Sequence, residues 1–151
     1  MSGLNPQGIS TYHNQGYVIP TFSLSDTEVS ELRESVDALI RKNPDTRPEH
    51  LVNAHIAHPN AEGVKGVAAL LELAHHPGIL DLVQSVIGPD IVLWGCQLFC
   101  KPARDGMEVP MHQDGQYWPI RPLATCTAWV AIDDSVVQKR LSACQAGLPY
   151  R

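Results

Sequence analysis

At 151 residues the chain has room for one domain, and its 44% content of hydrophobic residues is enough for a core and excludes a compositionally disordered protein. The formal net charge of −5, with no basic stripe, argues against a nucleic-acid partner. No apolar stretch approaches the length of a membrane span, and the N-terminus lacks the charged and apolar regions of a signal peptide. We therefore expect a soluble, cytoplasmic protein.

Apolar spacing and stop signals predict three helices in the first two thirds of the chain. The segment 25–42 begins with the capping box Ser-Asp-Thr-Glu and continues with apolar residues at helical spacing until a proline. Shorter helices are expected over 67–74 and 79–87, the latter closed by a Gly-Pro pair. Residues 1–15 are predicted to form a loose arm, and 16–20 a short strand that ends at a proline.

Residues 43–66 are rich in proline and glycine and are predicted to form a loop with one extended piece over 50–57. Three histidines occur here: His50, His55 and His58. The last two could share a helical face, but the proline after His58 disfavours a helix, and no later residues complete a zinc signature. We interpret all three as surface histidines.

Alternating apolar residues predict two strands further along the chain. The segment 91–101 carries Gln97 and Lys101 on one face, and its other face is wholly apolar and is expected in the core. The segment 125–133 alternates in the same way. Three of the four cysteines lie in these runs without a C-x-x-C or zinc spacing, so buried reduced thiols are expected. Strands at loop-length spacing predict a barrel or jelly roll.

Between these segments, His112 and Asp114 are separated by one residue in the stretch VPMHQDGQYWP. Residues two apart in a strand share a face, so an imidazole nitrogen and a carboxylate oxygen could be directed at one point. Together they would supply two of the three ligands of a 2-His-1-carboxylate iron site. The alternative interpretation is an exposed turn that carries two polar side chains.

Five motifs follow one another here, in the order Lys101-Pro102, His112-Gln113-Asp114, Tyr117-Trp118-Pro119, Trp129-Val130-Ala131 and Asp133-Asp134-Ser135. This order resembles the phytanoyl-CoA dioxygenase family of Fe(II)- and 2-oxoglutarate-dependent oxygenases. The resemblance covers about Gly16 to Ser135 and is specific from Leu93 onward. It implies a mainly β fold with flanking helices, namely the N-terminal part of a double-stranded β-helix, which is a cupin-like jelly roll.

The same resemblance implies roles for individual residues. Fe(II) would bind His112 and Asp114, with a third ligand from a distal histidine in a Pro-Gly-Ser-His-like segment and a distal arginine that holds 2-oxoglutarate. Trp118 would be directed toward the substrate. The residues assigned to 2-oxoglutarate are Gln97, Trp129 and Lys101. Each of these four has a plain alternative: a core aromatic for either tryptophan, a strand polar group for the glutamine, and a solvated charge for the lysine.

The implied activity is hydroxylation of a small-molecule or lipid-derived substrate by O2, with decarboxylation of 2-oxoglutarate to succinate. Ascorbate is a candidate reductant. The carboxylate of Asp114 favours hydroxylation, because halogenating relatives have a small residue at that position to admit chloride. The sequence does not specify an oligomeric state.

Residues 136–151 depart from the family, in which a segment of the form Asn-Gly-Cys-Leu…Pro-Gly-Ser-His follows. No histidine follows His112 in this chain. Codons for residues 139–151 can be chosen that, read one base later, encode Asn-Gly-Cys-Leu-Arg-Val-Lys-Pro-Gly-Ser-His-Thr. We therefore interpret 1–135 as the N-terminal part of a family domain and 136–151 as an aberrant tail, produced by a frame shift or by splice variation. Two alternatives to an active enzyme stay open: a non-catalytic truncated fragment of the same fold, and an unrelated small helix-plus-sheet binding domain.

Overall fold

The structure is a computed structural model, and its contacts divide the chain into two compact units. The first unit takes the described residues within 1–25, 77–91 and 126–151, and the second takes those within 26–76 and 92–125. The residues that the structure describes are 3–102, 110, 112, 114, 118–122, 124–134 and 136. The predicted tail beyond residue 136 lies outside them.

Four α-helices form the framework of the described residues: α1 (Pro6–Gln15), α2 (Asp26–Lys42), α3 (Ala68–Ala74) and α4 (Pro77–Ile87). A single 3-10 turn over Pro48–His50 lies between α2 and α3. The helices predicted over 25–42, 67–74 and 79–87 are thereby confirmed as α2, α3 and α4. No helix in the described part of the chain is long and apolar enough to cross a membrane.

Helix α1 corrects the prediction of a loose N-terminal arm. The side chain of Asn5 caps it by accepting a hydrogen bond from the Gly8 N–H at 2.8 Å, and Pro6 occupies the first helical position. Gly16 ends it in the left-handed conformation, with φ 83°. Local cap signals therefore form this helix, whereas the prediction relied on the polar composition of residues 1–15 and on their glycine and proline.

Within the first unit, α1 packs beside α4. The backbone N–H of Leu4 donates to Ser85 Oγ at 3.0 Å, which ties the start of α1 to α4. The ring of Phe22 lies against Gly78 so closely that a side chain there would collide with it. Gly78 is therefore required at the first turn of α4.

In the second unit, α2 packs beside α3. Leu39 of α2 is fully buried, and Leu70 of α3 is 3% exposed. Gly66 lies so close to the backbone carbonyls of the preceding loop that a Cβ would overlap them. The buried apolar side chains of this unit are Leu32, Leu39, Leu51, Ala54, Val67 and Leu70.

A buried asparagine joins the end of α2 to the segment that leads into α3. Asn43 Nδ2 donates to the carbonyl oxygens of Leu39 at 2.8 Å and Lys65 at 3.1 Å. Asn43 Oδ1 accepts from the Lys65 N–H at 2.8 Å. The side-chain amide thus uses both its donor and its acceptor groups, which makes burial of a polar residue tolerable.

The prediction of a mainly β, jelly-roll fold is wrong. In the described residues, the segments predicted as strands over 16–20, 91–101 and 125–133 form no strand. One isolated antiparallel bridge joins Val52 to Gln97. Alternation of side chains predicts which residues share a face, but a strand also requires a neighbouring backbone that pairs with it over several residues.

The predicted core face of the segment 91–101 is also wrong in part. Val92 is 88% exposed and Trp94 is 61% exposed. Cys96 and Cys126 are half-buried, lie outside any disulfide, and burial raises the pKa of both thiols. The two thiols are therefore free, as expected, but they are half-buried, whereas the sequence predicted buried thiols.

Candidate metal centre

The structure brings His112 and Asp114 into direct contact. The distance from His112 Nε2 to Asp114 Oδ1 is 3.0 Å, and His112 Nδ1 lies 2.7 Å from the carbonyl oxygen of Pro110. The two side chains are 38% and 44% exposed. Both nitrogens of the ring therefore face an oxygen atom at the surface of the second unit.

The carbonyl of Pro110 determines which ring nitrogen is available. A carbonyl oxygen accepts hydrogen bonds and cannot donate them, so His112 Nδ1 carries a proton. In the neutral imidazole the other nitrogen, Nε2, is then an acceptor. It faces a second acceptor, the carboxylate oxygen of Asp114, and two acceptors at 3.0 Å require a cation between them. That cation is either a second proton, which gives an imidazolium, or a metal ion.

The pKa of His112 reflects the same arrangement. The hydrogen bond to the Pro110 carbonyl is the largest cause that raises the pKa above its ordinary value. Desolvation is the second-largest influence and lowers the pKa, and the charge and the hydrogen bond of Asp114 raise it by smaller amounts. A proton therefore occupies the space between Nε2 and Oδ1 more readily than at an isolated histidine, and a metal ion must displace it.

The distance between the two atoms fits a shared metal ion. Metal–nitrogen and metal–oxygen bonds of about 2.1 Å at a right angle place the two ligand atoms about 3.0 Å apart. An imidazole with its remote nitrogen held by a backbone carbonyl is the usual arrangement of a metal-binding histidine. No group of three or more potential metal-ligating side chains occurs among the described residues, so only His112 and Asp114 are described as candidate ligands.

The other predicted site residues are less clearly placed. Gln97 and Lys101 are exposed and Trp118 is half-buried, all in the second unit. Trp129 belongs to the first unit and is 56% exposed, which excludes the alternative of a buried core aromatic. In the described part of the second unit, no hydrogen bond or ion pair joins Gln97, Lys101 or Trp118 to His112 or Asp114. Gln113 and Tyr117 lie outside the described residues.

Sequence reasoning missed two features. The first is the role of the Pro110 carbonyl, which no side-chain pattern encodes. The second is another histidine–carboxylate pair, in which His76 Nε2 lies 3.1 Å from Glu28 Oε1. These two residues are 48 positions apart, so spacing alone could not have revealed the contact.

The model of the phytanoyl-CoA dioxygenase (PhyH) family matches residues 12–139. The match covers most of the chain, and the chain belongs to this family.

Three curated relatives show the range of proteins to which the chain is similar. A probable phytanoyl-CoA dioxygenase of Caenorhabditis elegans is 26% identical, over 81% of this chain and 45% of the relative. The peroxisomal phytanoyl-CoA dioxygenase of Bos taurus is 23% identical, over 81% and 41%. An L-proline trans-4-hydroxylase of Streptomyces griseoviridis is 25% identical, over 71% and 40%. The chain thus spans less than half the length of these relatives, and no solved structure matches it.

Proposed function

We propose that the chain acts as an Fe(II)- and 2-oxoglutarate-dependent dioxygenase that hydroxylates a small-molecule or lipid-derived substrate. The observation that carries the proposal is that the Pro110 carbonyl fixes the His112 ring so that Nε2 faces Asp114 Oδ1 as a second acceptor. The pair lies inside the family match, and the relatives are named as dioxygenases and a hydroxylase.

In this proposal His112 and Asp114 hold the metal, and the Pro110 carbonyl keeps the ring in the tautomer whose Nε2 has a free lone pair. Metal binding releases the proton that the pair otherwise shares. Bound iron would supply the activation of O2 that is coupled to decarboxylation of 2-oxoglutarate to succinate. The carboxylate at position 114 favours hydroxylation as the outcome.

The remaining assignments come from the resemblance of the motifs. Gln97, Trp129 and Lys101 are proposed to contact 2-oxoglutarate, and Trp118 the substrate. The exposure of Trp129 leaves its indole accessible to a ligand. The relatives are named for phytanoyl-CoA and for L-proline, two chemically unrelated molecules, so their names support a broad substrate class. Ascorbate as a reductant and the boundary at residue 135 stay predictions.

Metal titration tests the proposal directly. We expect the chain to bind Fe(II) under anaerobic conditions, and Mn(II) as a substitute that does not oxidise, with each affinity measured calorimetrically. His112→Ala and Asp114→Asn should weaken binding by at least about tenfold, because each removes one of two ligands. His75→Ala is the matched control, since His75 is also exposed and its Nδ1 lies 2.8 Å from a backbone carbonyl, that of Leu71. Equal affinities in all four proteins would show that the pair is an ordinary surface contact.

A second assay separates catalysis from metal binding. The loaded chain is supplied with 2-oxoglutarate and O2, and succinate is measured by mass spectrometry. Succinate that the unaltered chain forms and the Asp114→Asn variant does not form would support the proposed dioxygenase activity. Metal binding without any succinate supports the alternative function, a non-catalytic member of the family that retains part of the metal site.

A further inference from the structure

Asn53 takes a backbone conformation that is rare for any residue except glycine. Its φ is 52°, in the left-handed region, and among the described residues it is the one residue other than glycine with a positive φ. Asparagine tolerates this region because its short polar side chain can bond locally, whereas a β-branched residue there is strongly disfavoured. Such conformations persist only where the surrounding structure holds them, and they concentrate at functional sites.

Asn53 directly follows the residue that pairs with Gln97. Val52 and Gln97 form the antiparallel bridge of the described structure. In an antiparallel pair with this bridge, the Leu98 N–H should donate to the Leu51 carbonyl, and it does so at 3.3 Å. On this side of the bridge the pairing is therefore regular.

On the other side of the bridge the pairing is displaced by one residue. Regular pairing would make the Asn53 N–H the donor to the Cys96 carbonyl. The Ala54 N–H makes this bond, at 3.2 Å, so two residues, Asn53 and Ala54, stand opposite Cys96. This is the arrangement of a β-bulge whose first residue is left-handed, a position that glycine usually occupies. Bulges are frequent next to active sites, where they change the direction of a side chain.

The bulge is fixed to the core of the second unit. Leu51 and Ala54, which lie on either side of it, are 1% and 0% exposed. The carbonyl of Ala54 accepts from the Val67 N–H at 2.9 Å, while its N–H is bonded to the segment that carries Gln97. Among the described residues, no further hydrogen bond holds the backbone of residues 95–98. The placement of Gln97 relative to the core therefore depends on the backbone of residues 51–54.

We propose that Asn53 is a positioning residue for 2-oxoglutarate: its left-handed backbone forms the bulge that holds Gln97 in the orientation that contacts this cosubstrate. The inference rests on the proposed function, in which Gln97 contacts 2-oxoglutarate and its side chain is exposed for that contact. The competing explanation is a direct contact of the Asn53 amide. Its Oδ1 lies 3.5 Å from the place that a Cβ on Gly95 would take, so the amide is beside the same segment.

Two substitutions of Asn53 separate the backbone from the side chain. Asn53→Val places a β-branched residue at positive φ, so the dissociation constant of 2-oxoglutarate for the full chain loaded with Mn(II) should rise at least about fivefold. Asn53→Gly removes the amide but permits the left-handed backbone, and it should keep the dissociation constant within about twofold of the unaltered chain. Calorimetry measures both values, and the affinity for Mn(II) should be the same in both variants. Equal losses in Asn53→Gly and Asn53→Val would overturn the proposal and assign a direct contact to the amide.

Gly63→Val is the matched control for backbone strain. Gly63 has a φ of 81°, belongs to the same unit, and a Cβ there would meet no described atom within 4 Å. This variant carries the same valine at a left-handed position but lies outside the pairing with residues 96–98. It should leave the affinity for 2-oxoglutarate unchanged. A loss equal to that of Asn53→Val would show that general strain in the unit, and not the bulge, is the cause.

A double-mutant cycle tests whether Asn53 acts through Gln97. Gln97→Ala should weaken the binding of 2-oxoglutarate by itself. In that background Asn53→Val should weaken it further by less than about twofold, because the side chain that it would misplace is already absent. Effects of the two substitutions that multiply would overturn the positioning role.

Amide hydrogen exchange reports the positioning without metal or cosubstrate. The Leu98 N–H takes part in the pairing, so its exchange should become at least about tenfold faster in Asn53→Val and should stay unchanged in Asn53→Gly. Unchanged exchange in Asn53→Val would overturn the inference and leave the proposed function intact. An unaltered chain that binds Mn(II) but not 2-oxoglutarate would contradict the proposed function, and the inference with it.

Discussion

Two polar arrangements in the second unit show opposite relations to solvent. Asn43 is 7% exposed, and its amide makes three hydrogen bonds to backbone atoms of Leu39 and Lys65. The pair of His112 and Asp114 is 38% and 44% exposed and makes one contact with the backbone. The first arrangement is complete within the protein, whereas the second brings two acceptors together and is complete only with a cation. We infer that the first contributes to folding and the second to binding.

The largest expected effect is the loss of stability when the buried Asn43 is replaced. Asn43→Ala should lower the free energy of unfolding by about 2–4 kcal/mol, because it leaves the Lys65 N–H and two carbonyl oxygens without their partner in a buried place. Chemical denaturation measures the change, and Mn(II) affinity at low temperature should stay within about twofold. Asn14→Ala serves as the control, because Asn14 is exposed on α1 and bonds only to Ser10 Oγ. A loss as small as that of the control would show that the Asn43 network is not a stabilising junction.

A second histidine–carboxylate pair makes the comparison sharper. His76 and Glu28 have nearly the same atomic separation as His112 and Asp114, 3.1 Å against 3.0 Å. They join α3's C-terminal end to α2, whereas His112 and Asp114 are only two residues apart and join no elements. Distance alone therefore does not distinguish a structural pair from a candidate metal pair.

Substitution of the histidine in each pair distinguishes the structural pair from the candidate metal pair. His76→Ala should lower the free energy of unfolding by up to about 1 kcal/mol, as is typical of partly exposed ion pairs, and should leave metal affinity unchanged. His112→Ala should change the free energy of unfolding by less than about 0.5 kcal/mol, because it removes an exposed local contact. Denaturation curves give the free energy of unfolding of both variants, and metal titrations give their metal affinities. Loss of metal binding in His76→Ala would transfer the candidate metal role to the helix-joining pair.

The parts of the molecule that sequence could predict are those determined by neighbouring residues. Apolar spacing located α2, α3 and α4 because each helix hydrogen-bonds within its own segment. The same reasoning failed for the segment 91–101, where a strand depends on a partner backbone elsewhere and, among the described residues, only the bridge to Val52 forms. For α1 the prediction of a loose arm followed the polar composition of residues 1–15, although Asn5, Pro6 and Gly16 were visible signals of a helix start and end.

For the candidate site, too, the sequence predicted some features and missed others. The spacing of His112 and Asp114 suggested that both side chains bind one metal ion. The structure places the two side chains in contact, although without the strand that the prediction assumed. The contribution of Pro110 comes from a backbone carbonyl, whose direction depends on local geometry and not on the identity of a side chain. The assignments of Gln97, Lys101, Trp118 and Trp129 depend on the resemblance and stay predictions.

The smallest expected effect concerns the protonation of the exposed pair. The pKa of His112 is raised first by the Pro110 carbonyl and then by Asp114, so an NMR titration should give a midpoint above the ordinary value of 6.5. Asp114→Asn should lower this midpoint without restoring the ordinary value, since the bond to Pro110 remains.

A histidine whose folded pKa is raised stabilises the folded state below its unfolded pKa, and that stabilisation is lost as the pH rises through the folded pKa. The change in stability should be slight because the pair is exposed, whereas metal affinity should rise over the same pH range as the competing proton leaves. Asp90→Asn, which changes another exposed carboxylate, should leave the titration unchanged. Identical midpoints in the wild type and Asp114→Asn would mean that the carboxylate does not face the imidazole in solution, and would remove the geometric basis of the metal centre.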